Sequence, residues 1–209
     1  MQAGEVCALV SDAGSPAISD PGEDLVRLCA EAGIAVSAIP GPCAVITALS
    51  ISGLPTGRFT FEGFLPVNKK NRRERLDALR GEERTMLFHE APHKLLTTLE
   101  DLSAAFGPER PVSLCRELTK LHEEVRRTTL GEAAAYYREN PPRGEFVLVV
   151  AGAQPREEAA VTLDEGVGQV LALKAQGVRL KDAAKEVAEH TGLSKNELYA
   201  AALERQTEP

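Results

Sequence analysis

Short continuous apolar runs alternate with amphipathic stretches through the first part of the chain. Residues 6–10 (Val-Cys-Ala-Leu-Val) form an apolar run that stops at a polar, small-residue stretch, the pattern of a buried parallel strand entering a loop. Asp20-Pro21-Gly22-Glu23 then has the chemistry of a helix start, with Asp at the cap, Pro at the first position and Glu in the first turn. Leu25, Val26, Leu28 and Cys29 give that helix an apolar face, and Gly33 is its natural stop. A second strand over 35–39 ends at Pro40-Gly41-Pro42. An apolar helix over about 43–50 leads to Ser52-Gly53-Leu54-Pro55. Strand, loop and helix repeated in this order predict an open α/β sheet.

From Arg58 the texture changes. Residues 59–64 alternate apolar and polar side chains like a half-buried strand, followed by a basic loop and a helix over 72–80. Four more strands are expected at 85–89, 112–116, 124–128 and 146–150, with helices near 93–105 and 130–139. A domain boundary is placed near Thr56 and Gly57, giving a first α/β region over 1–56 and a second over 57–153. The polar, alanine-rich stretch 154–161 reads as a linker. A helical module over 162–209 follows, in which Thr162–Glu165 and Ser194–Glu197 match capping boxes around a helix at 181–190. Ala188 and Gly192 before a turn suit the close helix approach of a helix-turn-helix; a plain three-helix packing module fits the same pattern.

Composition narrows the class. No apolar run approaches the roughly 18 residues of a membrane span, and the first residues lack the basic and apolar regions of a signal peptide. The four cysteines form no CxxC pair, so neither zinc nor a disulfide framework is expected, and reduced thiols fit a cytoplasmic setting. A formal charge of −7 argues against indiscriminate polyanion binding. Against that background Lys69, Lys70, Arg72, Arg73 and Arg75 cluster around a single Glu74. Composition fits both a solvated loop running into a helix and a loop that contacts RNA phosphates.

The richest chemistry lies in 11–22, SDAGSPAISDPG, at the carboxyl end of the first expected strand. Ligands of open α/β sheets bind there, where small residues admit them to the backbone and helix amides favour anionic groups. A turn with a helix cap explains much of the same composition. The whole string, however, resembles the hallmark loop of bacterial 2′-O-cytidine methyltransferases of small-subunit ribosomal RNA, members of the tetrapyrrole methylase superfamily. Further matches follow in that family's order: IPGPCAVITALSISGLP (39–55), RFTFEGFLP (58–66), EAPHK (90–94), RELTKLHEE (116–124) and RGEFVLVV (143–150). The tail from Thr162 is similar to the family's helix-turn-helix-like extension.

The resemblance implies a two-domain tetrapyrrole methylase-like α/β fold plus a small C-terminal helical module. It implies S-adenosylmethionine as methyl donor and a cytidine ribose in the decoding centre of the small subunit as acceptor. Carried over position by position, Asp12, Gly14, Ile18, Cys43, Ala44, Phe88 and Leu118 would line the cofactor cleft, although Phe88 and Leu118 also read as core residues. Glu117, Lys120 and His122 form the dense titratable cluster of a matched motif and are the candidates for orienting the ribose hydroxyl or handling its proton. An ion-paired strand edge is the other reading of that cluster. The family also implies a homodimer and an assembled ribosomal subunit as partner. Ser15 and Cys43 stand where the family has Thr and Ser, and His89 where it usually has Tyr. The family's TPIGN-like and EDTR-like motifs, which precede the position of Gly4, have no match in this sequence, so the first domain is expected to be incomplete at its front. Two other functions are compatible: methylation of a porphyrin or corrin precursor, and RNA binding without catalysis.

Overall fold

The computed structural model describes residues 1–154 and 161–207, and the chain divides after Gln154 into two compact units. Most of the linker expected at 154–161 lies outside the described residues.

The first unit is organised by five strands in the order β1-β2-β5-β3-β4: β1 Phe59–Gly63, β2 Thr85–Glu90, β3 Pro111–Arg116, β4 Glu124–Thr129 and β5 Phe146–Val150. β1 and β2 are parallel, while β5 lies antiparallel between β2 and β3, and β4 is antiparallel to β3. Period-two alternation assigns the faces. Met86, Phe88, Leu114, Phe146, Leu148 and Val150 meet α3 (Lys69–Leu79), α4 (Pro92–Phe106) and α5 (Leu130–Glu139) in one core. Leu87, Cys115, Val147 and Val149 face the other way and pack against Val45, Ala48 and Leu49 of α2 (Ala44–Ser52). All five residues of β5 are therefore buried, as a strand covered on both faces requires.

The strands expected at 6–10 and 35–39 do not form. Among the described residues neither segment is in a sheet, and Val6, Val10, Val36 and Ile39 are exposed. A strand's amides and carbonyls need a neighbouring strand, and an apolar run alone does not supply one. The helix expected from Asp20 begins later, as α1 (Glu23–Glu31), with Gly22 at the cap in a positive-φ conformation that leaves Asp20 and Pro21 outside. Its end is as expected: Gly33 has φ +66° and the Ile34 amide reaches back to the Cys29 carbonyl at 2.9 Å.

α2 is locked at its C-terminus from a distance. Gly53 takes the left-handed conformation, and Arg127 on β4 donates to the carbonyls of Ser52 (3.0 Å) and Ile51.

The second unit contains α6 (Leu163–Ala175), α7 (Leu180–Thr191) and α8 (Lys195–Thr207) around Val167, Val170, Ala183, Val187 and Leu198. The Thr162–Glu165 capping box is complete, and at the second box the Glu197 amide reaches Ser194 Oγ at 3.5 Å. Gly192 supplies a left-handed C-cap rather than the close approach expected of it, since a Cβ there would meet nothing within 4 Å. The tight contact is at Gly166, where a Cβ would lie 2.7 Å from Leu193 Cδ1 and 2.8 Å from Leu198 Cδ2. Among the described residues no helix is long and apolar enough to cross a membrane.

The carbonyl lock predicts that Arg127→Ala frays α2 and lowers stability by about 1–2 kcal/mol, the worth of charge-assisted hydrogen bonds to helix-end carbonyls. Urea unfolding checks it: an unchanged midpoint would mean that water satisfies those carbonyls equally well.

Candidate active site at the strand ends

The topology collects several loops at one edge of the sheet. β1, β2 and β3 end there, and the antiparallel β4 and β5 begin there. Residues 117–123 connect β3 to β4 across that edge and lie beside 143–145, which lead into β5.

Glu117 and Thr119 both have positive φ, 50° and 64°. Such non-glycine conformations cost of order 1–3 kcal/mol each and persist where the surroundings fix them. Here the surroundings are dense. The Glu117 amide donates to the Glu145 carbonyl (3.2 Å), and the Glu145 amide donates to Glu117 Oε1 (3.1 Å). Lys120 Nζ lies 3.1 Å from Glu117 Oε1 and 3.7 Å from Glu145 Oε2. The Thr119 amide donates to Glu123 Oε2 at 2.6 Å. Gly144, with φ +78°, leaves the space the Glu117 side chain occupies, because a Cβ there would stand 2.5 Å from Glu117 Cγ. The Glu145 amide and the Lys120 ammonium hold the Glu117 carboxyl below the usual carboxylate range, and Glu117 in turn raises Lys120. Near neutral pH the pair is an ion pair. His122 is exposed on the same connection, beside Leu121, whose exposure of 93% is extreme for a leucine.

Two earlier loops meet each other. Ser15 Oγ donates to the Pro42 carbonyl at 3.4 Å, and a Cβ on Gly14 would stand 3.2 Å from the same oxygen. Ala17 and Ser19 have positive φ, and a Cβ on Gly63, at the end of β1, would lie 4.0 Å from Ser19 Oγ. Asp12 and Ile18 are exposed along this loop. Cys43 caps α2 without any side-chain bond to the first-turn amides, and Ala44 beside it is exposed. Cys43 and Leu118 both pack against the α2-side cluster, so the PGP loop and the 117–123 connection share that face.

Phe88 does not join them. It is buried in the opposite core, because alternation along β2 sends Leu87 and His89 to the α2 face and Phe88 to the other. His89 is the side chain sequence reasoning missed. It stands edge-on to Phe61 (5.4 Å between centroids) and stacked on Phe64 (5.5 Å), and it feels the carboxylates of Glu145 and Asp20. Burial outweighs them and lowers its pKa below the ordinary 6.5. The signal was present in the strand pattern: if Phe88 is core, its neighbour faces away from that core.

The basic segment is not a loop. Asn68 caps α3 by accepting from the Lys70 and Asn71 amides, and the helix starts at Lys69. Arg72 is 14% exposed, bound to Asp101 (2.6 Å) and Thr98 (2.8 Å), and Arg75 pairs with Glu62. Lys69, Lys70 and Arg73 remain exposed.

Comparison with known proteins decides the family. A model of the tetrapyrrole (corrin/porphyrin) methylases matches residues 1–134, and one of the RsmI C-terminal HTH domain matches 161–206. Proteins named ribosomal RNA small subunit methyltransferase I are 47% identical in Synechocystis sp., over 100% of this chain and 75% of the relative, and 49% identical in Escherichia coli O157:H7, over 99% and 72%. The chain belongs to this family. The tetrapyrrole methylase match covers both small-residue loops, His89 and the Glu117–Lys120 corner, and the helix-turn-helix match coincides with α6–α8. The fold agrees with the solved cobalt precorrin-4 methyltransferase, a cobalamin biosynthetic enzyme, at a TM-score of 0.51 and 17% identity over 66% of this chain and 61% of that one.

Two predictions follow from this edge. Gly144→Ala sets a Cβ against Glu117 and strains a left-handed residue, with an expected stability loss of about 1–2 kcal/mol. It should also release Lys120, visible as a downward shift of its ammonium titration by NMR; an unmoved titration would dissociate Gly144 from the corner. His89 favours its neutral form when folded, so its contribution is complete above pH 6.5 and is lost as pH falls below that value, where the unfolded chain takes up the proton first. His89→Phe should flatten the acid side of the stability profile below pH 6.5, and an unaltered profile would contradict the assignment.

Proposed function

We propose that this chain transfers a methyl group from S-adenosylmethionine to the 2′-hydroxyl of a cytidine ribose in small-subunit ribosomal RNA. The observation that carries this reading is the 47% and 49% identity, across this chain and 75% and 72% of the relatives, to proteins named for small-subunit ribosomal RNA methylation, with the family's loops gathered at one sheet edge.

The residues present fit the donor. The uncapped first-turn amides of α2, at Ala44 and behind Cys43, suit its carboxylate. Asp12 and the Asp20 carboxylate beside His89 are of the right sign for its sulfonium, with Gly14, Ile18 and Leu118 as neighbouring surface. When bound, S-adenosylmethionine supplies a methyl carbon already activated toward displacement, which leaves positioning of the ribose as the main task.

In this reading the Glu117–Lys120 pair positions the acceptor. Lys120 is held protonated by Glu117 and therefore donates hydrogen bonds to a ribose or phosphate oxygen rather than removing a proton. The imidazole of His122, exposed at the same edge, is the group suited to receive the proton from the hydroxyl. The exposed cations Lys69, Lys70 and Arg73 assist RNA binding, while Arg72 and Arg75 are engaged within the fold. The chain acts as a homodimer in the cytoplasm on assembled small subunits.

Radiolabelled methyl transfer to small subunits lacking the modification tests this, with uroporphyrinogen as the competing acceptor. Label should enter the subunit RNA, and Lys120→Ala should lower turnover roughly 10- to 100-fold, the effect of misplacing a reacting group. Label in the tetrapyrrole, or none in RNA, would overturn the reading; unchanged turnover in Lys120→Ala would remove that residue from it.

A further inference from the structure

A groove of about 660 Å³ runs between α3 and α4, on the face of the sheet opposite α2. Its floor includes Leu76 and Ala105. Its walls carry Lys69, Arg72 and Arg73 from α3, Arg80 at the cap of that helix, and His93 and Lys94 from α4. Two carboxylates, Asp77 and Asp101, stand among five fixed cations, in a chain whose net charge is −7.

The carboxylates are already engaged. Asp101 takes Arg72, and Asp77 takes Arg80 at 3.0 Å and Arg73 at 3.8 Å. Arg72 also donates to Thr98, whose hydroxyl donates to the buried Glu90. The groove is thereby underpinned by a closed polar network. Lys69, Lys94 and His93 stand in no ion pair among the described residues, and all three are exposed.

The direction of the groove follows from topology. α3 follows β1 and α4 follows β2, parallel strands whose carboxyl ends form the edge that carries Glu117 and Lys120, so both helices begin at that edge. The cationic end of the groove, with Lys69, His93 and Lys94 in the first turns, therefore opens toward the candidate active site. Cations in a first helical turn oppose the helix dipole. The first turns of α1, α5, α6, α7 and α8 carry carboxylates instead, while those of α3 and α4 carry none. Two adjacent helix starts thus sum dipole and side-chain charge in one direction, toward an anion outside.

We infer that the α3–α4 groove holds the phosphodiester backbone of the RNA leading to or from the methylated nucleotide. The inference rests on the RNA substrate of the proposed function and adds a second wall, His93 and Lys94, to the basic segment of α3. Contacts of this kind are to phosphates: they hold the strand without reading its bases.

The test is the double variant Lys69→Glu/Lys94→Glu, with Lys69→Gln/Lys94→Gln as a milder partner should charge reversal prevent folding. Binding of the whole chain to unmethylated small subunits is titrated at several salt concentrations, beside its affinity for S-adenosylmethionine. Subunit affinity should fall roughly tenfold or more, and the salt slope should decrease by about 1.5 for two lost phosphate contacts. S-adenosylmethionine affinity should be unchanged, as should subunit binding by Arg138→Ala, a cation of α5 paired with Glu100. Equal subunit affinity and slope in a folded double variant would overturn the groove, and so would an equal loss in Arg138→Ala. Failure of the proposed function is separable: an unmodified chain that transfers no methyl group but binds subunits through Lys69 and Lys94 supports the groove while refuting the reaction.

Discussion

The burial of β5 on both faces is the constraint on which the first unit depends. Phe146, Leu148 and Val150 enter the core under α3, α4 and α5, while Val147 and Val149 enter the cluster under α2. One strand therefore ties two layers of helix to one sheet. It also bonds to β2 on one side and β3 on the other, with Val150 opposite both Met86 and Val112. A one-residue slip of β5 would exchange its faces and set Phe146 against α2 instead of Tyr137. The register that prevents this also places Glu145, one residue before the strand, between Lys120 and His89. Core packing and site geometry are thus consequences of the same alignment.

The site edge is where conformational strain accumulates. Glu117 and Thr119 on one connection, and Ala17 and Ser19 on another, hold left-handed backbones without being glycine. At Glu117 the compensation is visible: its amide donates to the Glu145 carbonyl, its carboxylate accepts from the Glu145 amide and pairs with Lys120, and a glycine at 144 leaves the side chain its space. A carboxylate so held has few alternative rotamers, and it offers the half-exposed Lys120 ammonium a fixed partner. In the proposed reaction, preorganisation of this kind would let Lys120 position the acceptor without first being ordered by it.

Much of this was legible in the sequence where local chemistry decides the outcome. Alternation over β1, the short apolar runs of the later strands, the Thr162 capping box and the Gly33 stop all rest on neighbouring residues, and they formed close to where they were expected. The co-linear loop motifs likewise revealed the family. What failed depended on partners distant in sequence. Residues 6–10 and 35–39 have strand composition, but pairing is not encoded in composition. Phe88 was carried over to the cleft by position, yet its direction is set by which face of β2 meets α4. The Thr129–Glu132 capping box of α5 is a local signal of the same kind, set directly after a strand pattern that runs to Thr128. Gly166 is different: no local signal marks it, because its reason is the approach of Leu193 and Leu198 from elsewhere in the fold.

The distribution of local rule-breaking gives a last physical argument about where function lies. α5 begins at the end of β4, on the sheet edge away from Glu117, and there the rules are kept: a complete capping box and Glu132 in the first turn. At the edge that carries Glu117, α2 begins without a side-chain cap, and α3 and α4 begin with cations where carboxylates would stabilise them. Propensity alone would not separate the two edges, since both are made from the same strands. Natural sequences depart from local consistency chiefly where something else is selected. Each departure here leaves positive potential or unsatisfied amide donors facing outward, and an anion relieves both. An anion at this edge would meet both the open amides of α2 and the first-turn cations of α3 and α4, in keeping with the anionic RNA and the donor carboxylate of the proposed function.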